Sequence, residues 1–172
     1  NGAKRVYAID VGYGQLAWSL RQDPRVVNLE RTNFRHIEYE QIGQTMDLAT
    51  IDVSFISLDL ILPALKQFLD ATSQVVALIK PQFEAGRENV GKRGVVRDKS
   101  VHLQVINKVI THAAAMGLYA HALTFSPVTG PEGNIEYLVL LKMVEPADTS
   151  LDEAAVQSVV ESAHHTLRTR EE

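Results

Sequence analysis

The 172 residues, 45% hydrophobic and 22% charged, are enough for one sizeable core and too few for two comfortable domains, and this balance argues against wholesale disorder. A formal charge of −4 argues against a surface built for general nucleic-acid binding, while leaving room for a local basic patch. Cysteine is absent, which excludes a disulfide framework, a thiol nucleophile and a thiolate metal site.

Strand and helix signals alternate along the chain. Residues 5–10 (RVYAID) read as a first strand, 15–21 (QLAWSLR) as a short amphipathic helix ended by Asp23-Pro24, and 25–30 (RVVNLE) as a second strand. Residues 47–52 (DLATID) predict a third strand, and 54–69 a helix bent near Pro63. The apolar run inside that helix is broken by Asp59, Pro63, Lys66 and Gln67, so no stretch reaches membrane-spanning length. With no signal-peptide pattern at the start, stable membrane insertion is not expected and the composition fits the cytoplasm. Residues 74–80 form a fourth strand whose continuous apolar run predicts burial on both faces. Ser100 is placed to cap a helix running to about Met116, where Gly117 supplies the stop. Residues 119–125 and 135–142 are the last two strands; with only a turn-rich segment between them, they predict an antiparallel pair at one edge of a mostly parallel α/β sheet. Residues 1–144 therefore read as one domain, and 145–172 as a helical extension with apolar spacing from Leu151 to Leu167 and a Thr149/Ser150 cap.

Three charged residues stand out against this pattern. Lys80 closes the most apolar strand, Asp52 closes another, and Glu136 lies within the sixth. In open α/β sheets the carboxyl ends of strands border the ligand crevice, so a lysine there is either a reactive group or a side chain reaching for solvent beside a turn. Asp10, at the end of the first strand, has two acceptor oxygens suited to ribose hydroxyls, or to a helix cap. Asn33 stands where an adenine edge would lie, or serves as a turn residue. Between Gly86 and Lys99, five basic residues (Arg87, Lys92, Arg93, Arg97, Lys99) face two acids, and three glycines make this a mobile basic loop directly after the Lys80 strand. Gly12-Tyr13-Gly14 lacks the third glycine of a dinucleotide fingerprint and reads as a turn. Trp18 reads as a packing residue, and His164-His165 as solvent-exposed without metal-ligand spacing. Ser54 and Ser57 have no histidine–acid arrangement around them.

The strings YAIDVGYGQLAWSLRQDPRV, NLERTNFR, TIDVSFISL, LIKPQFEAGRENVGKRGVVRD and SPVTGPEGNIEYL resemble TlyA-type, haemolysin-like ribosomal RNA 2′-O-methyltransferases, themselves similar to the FtsJ/RrmJ group. The resemblance covers about residues 1–143 and implies a Rossmann-like, S-adenosylmethionine-dependent fold with a Lys-Asp-Lys-Glu catalytic set. On that basis Asp52 matches the aspartate, Lys80 the second lysine and Glu136 the glutamate, while Asp10 matches the acid that holds the cofactor ribose. The implied partner is ribosomal RNA or a ribosomal subunit, with Arg87, Lys92 and Arg93 fixing phosphates rather than reading bases.

The family's first lysine, glycine-rich cofactor loop, first strand and N-terminal RNA-binding domain have no counterpart here. The chain, which enters a strand straight after Asn1-Gly2-Ala3-Lys4, reads as the continuation of a fold begun upstream and is expected to be inactive by itself. In methyl transfer to a ribose hydroxyl the oxygen is a poor nucleophile, so orientation supplies much of the acceleration. Lys80 is cast to polarise or deprotonate that hydroxyl, with Asp52 and Glu136 orienting it. Burial favours a neutral amine and neighbouring carboxylates favour the ammonium form, a balance that sequence leaves open. The alternatives are a noncatalytic RNA- or ribosome-associated module and, from the family's name, a membrane-active haemolysin, which no spanning or basic amphipathic segment supports. Target nucleotide and oligomeric state are not legible.

Overall fold

A computed structural model describes residues 2–147 and 151–168. Six strands are present: β1 (Val6–Ile9), β2 (Val26–Leu29), β3 (Leu48–Ile51), β4 (Gln74–Ile79), β5 (Tyr119–Phe125) and β6 (Tyr137–Lys142). The helices are α1 (Trp18–Arg21), α2 (Leu62–Leu65), α3 (Pro81–Glu84), α4 (Lys99–Ala115) and α5 (Glu153–Arg168), with short 3-10 turns between them. Strands β1 and β2 pair in parallel as a separate ladder, while the larger sheet runs β3-β4-β6-β5. β3–β4 is parallel, and β4–β6 and β5–β6 are antiparallel, so parallel and antiparallel pairing divide the sheet. The expected antiparallel pair is present, with β5 at the edge and β6 inside the sheet.

Val75, Ala77 and Ile79 of β4 are fully buried, as are Tyr137, Val139 and Leu141 of β6, and helices α4 and α5 contribute Ile106, Val109, Val156 and Ala163 to the same core. Burial on both faces of β4 does not hold in full, because Val76 and Leu78 on the second face are only half-buried. The extension is docked: α5 packs on α4 and β5, and Asp152 Oδ1 accepts from the Ala155 amide at 2.8 Å. The expected cap at Thr149/Ser150 lies outside the described residues.

Several local expectations change. Residues 54–69 are not one bent helix but a 3-10 turn (Leu58–Leu60), α2 and a second 3-10 turn (Lys66–Phe68), with Pro63 within the first turn of α2, where no amide donor is required. Asp98, not Ser100, caps α4, its Oδ1 accepting from the Ser100 amide at 2.8 Å. Gly117 follows with φ 76°, the left-handed geometry that ends the helix. Trp18 is 72% exposed and α1 buries no residue, because the β1–β2–α1 unit contributes nothing to the main core. His164 is not solvent-exposed: it is buried against His102, whose Nδ1 lies 2.7 Å from the Tyr137 hydroxyl, whereas His165 is exposed.

Candidate active site

Strand register assembles the site. Ile51 pairs with Ala77 across β3–β4, and Ile79 pairs with Tyr137 across β4–β6. One step further along, Lys80 stands opposite Glu136, and Asp52 aligns with Leu78. Pleating therefore sends all three charged side chains to one face at the same end of the sheet. Glu136 is not inside the last strand but immediately before it, its carbonyl accepting from the Ser126 amide at 2.8 Å.

Lys80 does not reach out to solvent. Its side chain is only 12% exposed, and Nζ lies 2.6 Å from Asp52 Oδ1 and 3.1 Å from Ser54 Oγ, while Asp52 is itself 73% exposed. The ammonium thus closes a bridge between the ends of two neighbouring strands. On the other side Glu136 is buried, and its Oε1 accepts from Gln82 Nε2 at 2.8 Å. The Gln82 side-chain oxygen Oε1 is buried without a hydrogen-bond partner among the described residues. Gly130 lies flat against the Glu136 carboxylate, in space that a Cβ would occupy.

Sequence reasoning missed three contributors. Phe55, directly after Ser54, is 90% exposed with φ 63°, a conformation that a bulky side chain adopts only when its surroundings impose it. Its ring meets Phe83 at 5.0 Å between centroids, and Phe83 lies below the Lys80 ammonium. Glu84, buried on α3, accepts from Ser57 Oγ at 2.6 Å and the Leu58 amide at 2.7 Å. Glu30 receives the Gly14 and Gln15 amides and an ion pair from Arg21, fixing the Gly12–Gln15 turn. Partial burial pushes the Glu30 carboxyl up, but hydrogen bonds from Arg21, Asn28 and Gly14 outweigh it and hold the group below its ordinary value. An acid four residues after Lys80 in LIKPQFE was the available signal for Glu84.

Asp10 and Asn33 come together at the end of the β1–β2 ladder, where the Thr32 amide donates to the Asp10 carbonyl at 3.0 Å and the Arg31 amide to the Gly12 carbonyl at 3.0 Å. Both are exposed. Asp10 Oδ1 accepts from the Gly12 amide at 2.6 Å, leaving Oδ2 available, and Asn33 Oδ1 caps the following 3-10 turn by accepting from the Arg35 amide. Residues 86–99 are less loose than their glycines suggest. Two 3-10 turns form (Arg87–Asn89, Lys92–Gly94), and buried Asn134 bonds the Val96 amide and the Gly94 carbonyl, tying this segment to the turn that carries Glu136. Arg87, Lys92 and Arg93 are exposed, the last two beside an open cleft of about 460 Å³ shared with Asn89 and Arg97. Among the described residues no acid–histidine cluster is arranged for a metal, and no helix is long and apolar enough to cross a membrane.

A Bacillus subtilis protein named "Putative rRNA methyltransferase YqxC" is 53% identical over 171 residues, which cover 98% of this chain and 61% of that protein. A Mycobacterium tuberculosis H37Rv protein, "16S/23S rRNA (cytidine-2'-O)-methyltransferase TlyA", is 45% identical over 164 residues, or 95% of this chain and 59% of its own. A solved structure, "Putative hemolysin from Streptococcus thermophilus", superposes with a TM-score of 0.90 at 48% identity, covering 99% of this chain and 62% of that one. The chain thus spans about three-fifths of the length of the relatives it matches. The family model for the FtsJ-like methyltransferases matches residues 1–143, and with these likenesses the chain belongs to the FtsJ-like methyltransferase family.

Proposed function

We propose that the full-length protein transfers a methyl group from S-adenosylmethionine to a ribose 2′-hydroxyl of ribosomal RNA in the cytoplasm, with Asp52, Lys80 and Glu136 as its catalytic set. The observation that carries this reading is the largely covered Lys80 ammonium held between Asp52 and Ser54 at the strand ends, with Glu136 opposite it in the ladder. An ammonium has three donor protons. Two are engaged by Asp52 and Ser54, and the third remains for a substrate oxygen. A donor fixed in this way holds the ribose 2′-oxygen in line for attack and stabilises the charge on it as the hydroxyl proton passes to solvent water. Glu136, held by Gln82 and opposite Lys80 in the ladder, is suited to orient the ribose.

The cofactor supplies an electrophilic methyl when bound. Asp10, with one free carboxylate oxygen, and Asn33, with its amide nitrogen uncommitted to the cap, fit a ribose and an adenine edge respectively. The open edges of β1 and β3, each paired on one side only among the described residues, suit a further strand of the full-length protein. Phe55 offers an exposed aromatic face next to the lysine, suited to stacking a splayed-out base. Arg87, Lys92 and Arg93, exposed on the segment that follows α3, are suited to phosphates of the flanking strand. Helix α5 completes the core through Val156, Val160, Ala163 and Leu167.

The test is Lys80→Met in the full-length protein, which keeps aliphatic bulk and removes the charge. Methyl transfer to ribosomal RNA should fall by about 10²-fold or more, as for loss of a positioned proton donor. Cofactor binding by calorimetry should stay unchanged. A folded, cofactor-binding Lys80→Met protein working at the wild-type rate would refute the assignment, and a wild-type protein that binds RNA without methylating it would make this a binding module instead.

A further inference from the structure

Glu84 is a buried acid that the proposed chemistry does not use. It closes α3, four residues after Lys80, is 6% exposed, and spends both oxygens on the loop that follows β3: Oε2 on Ser57 Oγ at 2.6 Å and Oε1 on the Leu58 amide at 2.7 Å. Ser57 Oγ in turn accepts from the Asp59 amide at 3.2 Å, so the carboxylate fixes the start of the 3-10 turn over Leu58–Leu60. Between the end of β3 and that turn lie Asp52, Ser54 and Phe55, the residues that meet Lys80 and its neighbour Phe83.

The connection therefore has two anchors. One is the Lys80 ammonium at the strand end, whose partner Asp52 is exposed. The other is Glu84, buried and accepting two hydrogen bonds, a charged acceptor of the stronger kind. Residue 55 sits between them in a left-handed backbone conformation unfavourable for phenylalanine. Such a conformation persists only where the chain on both sides is held. Released at the Glu84 end, the loop can relax at Phe55 and carry Asp52 and Ser54 away from the lysine.

We infer that Glu84 is a positioning residue of the active site, acting through the 52–58 loop to set Asp52, Ser54 and Phe55 against Lys80. This rests on the methyl-transfer reading given above, and the experiment separates the two. In the full-length protein, Glu84→Ala should lower kcat for RNA methylation by about 10–100-fold with the cofactor Kd within threefold, since a displacement of about 1 Å at a reacting centre carries a cost of that order. Glu84→Gln should restore kcat to within about fivefold, because the amide oxygen accepts from the Leu58 amide while its nitrogen meets Ser57 Oγ. In an Asp52→Asn background the Glu84→Ala loss should shrink, as expected for residues acting in one chain of contacts.

Hydrogen exchange gives a readout that needs no activity: Glu84→Ala should speed exchange of the bonded amides of residues 58–61 and leave β4 unchanged. A folded Glu84→Ala protein with wild-type kcat, or unchanged exchange over 58–61, overturns the inference. Should Glu84→Ala fail to fold, Ser57→Ala, which removes one of the two bonds, should still lower kcat by about threefold or more, and an unchanged kcat there overturns it equally. Absence of methyl transfer by the wild-type protein would refute the proposed activity and leave the loop linkage to the exchange measurement.

Discussion

Gly130→Ala isolates the carboxylate side of the site with a single methyl group. A Cβ at this position would stand 2.8 Å from Glu136 Cδ and closer still to Oε1. Carbon atoms settle at about 3.5–4.0 Å, so the carboxylate must retreat by about 1 Å. Glu136 is buried, and its Oε1 accepts from Gln82 Nε2 at 2.8 Å. A retreat of that size stretches the bond to roughly 3.8 Å, past the hydrogen-bonding range, and forfeits about 1.5–3 kcal/mol for a charged acceptor. The backbone at Gly130 is not in the left-handed region, so alanine fits its conformation and the cost falls on the side chain of Glu136. Methyl transfer by the full-length variant should drop about 10²-fold through misplacement of the carboxylate. Thermal unfolding followed by circular dichroism should show a cooperative transition lowered by several degrees at most. A Gly130→Ala protein that methylates ribosomal RNA at the wild-type rate would place Glu136 outside the reaction.

Other expectations test different parts of the molecule. Phe55→Gly removes a strained left-handed phenylalanine whose ring is almost wholly exposed, so the melting temperature should not fall. RNA methylation should nevertheless decline about tenfold or more as a stacking surface is lost, and unchanged kinetics would dismiss Phe55 as a platform. Neutralising Arg87, Lys92 and Arg93 together should flatten the log–log salt dependence of RNA binding by about 2, from three lost phosphate contacts; an unaltered slope would leave the segment a bystander. Hydrogen bonds from the Thr72 side chain and amide, with help from Thr45 and Ser73, hold the Asp70 carboxyl at about 2 against an ordinary 3.8. Because the folded-state value is depressed, the stability this group adds is complete above the ordinary value and is lost as pH falls through about 2. A carboxyl-carbon NMR titration should show that low midpoint, moving up towards 3.8 in Thr72→Ala; an ordinary midpoint in the wild type would refute the bonding pattern.

Strand identity, strand ends and the charged residues at those ends were legible in the sequence, because apolar runs of strand length and the punctuation after them are local properties. Lys80 after Val75–Ile79 and Asp52 after Ile51 follow from that pattern alone, as does the antiparallel course of β5 and β6 with no helix between them, whereas Glu136, expected within the last strand, stands just before it. What the local pattern could not contain is which neighbour completes each contact. Trp18 carries the same apolar signature as a core residue yet lies exposed, and His164 beside a solvent-facing His165 is buried, because exposure depends on the element packed opposite. Ser100 carries a cap-type side chain, yet Asp98 caps α4 by accepting from the Ser100 amide. The bridge from Lys80 to Asp52 and Ser54, the left-handed turn at Phe55 and the reach of Glu84 to Ser57 and Leu58 join residues 26 to 28 positions apart or are imposed by such contacts. Sequence placed charges at the sheet edge; register and packing decided that they face one another.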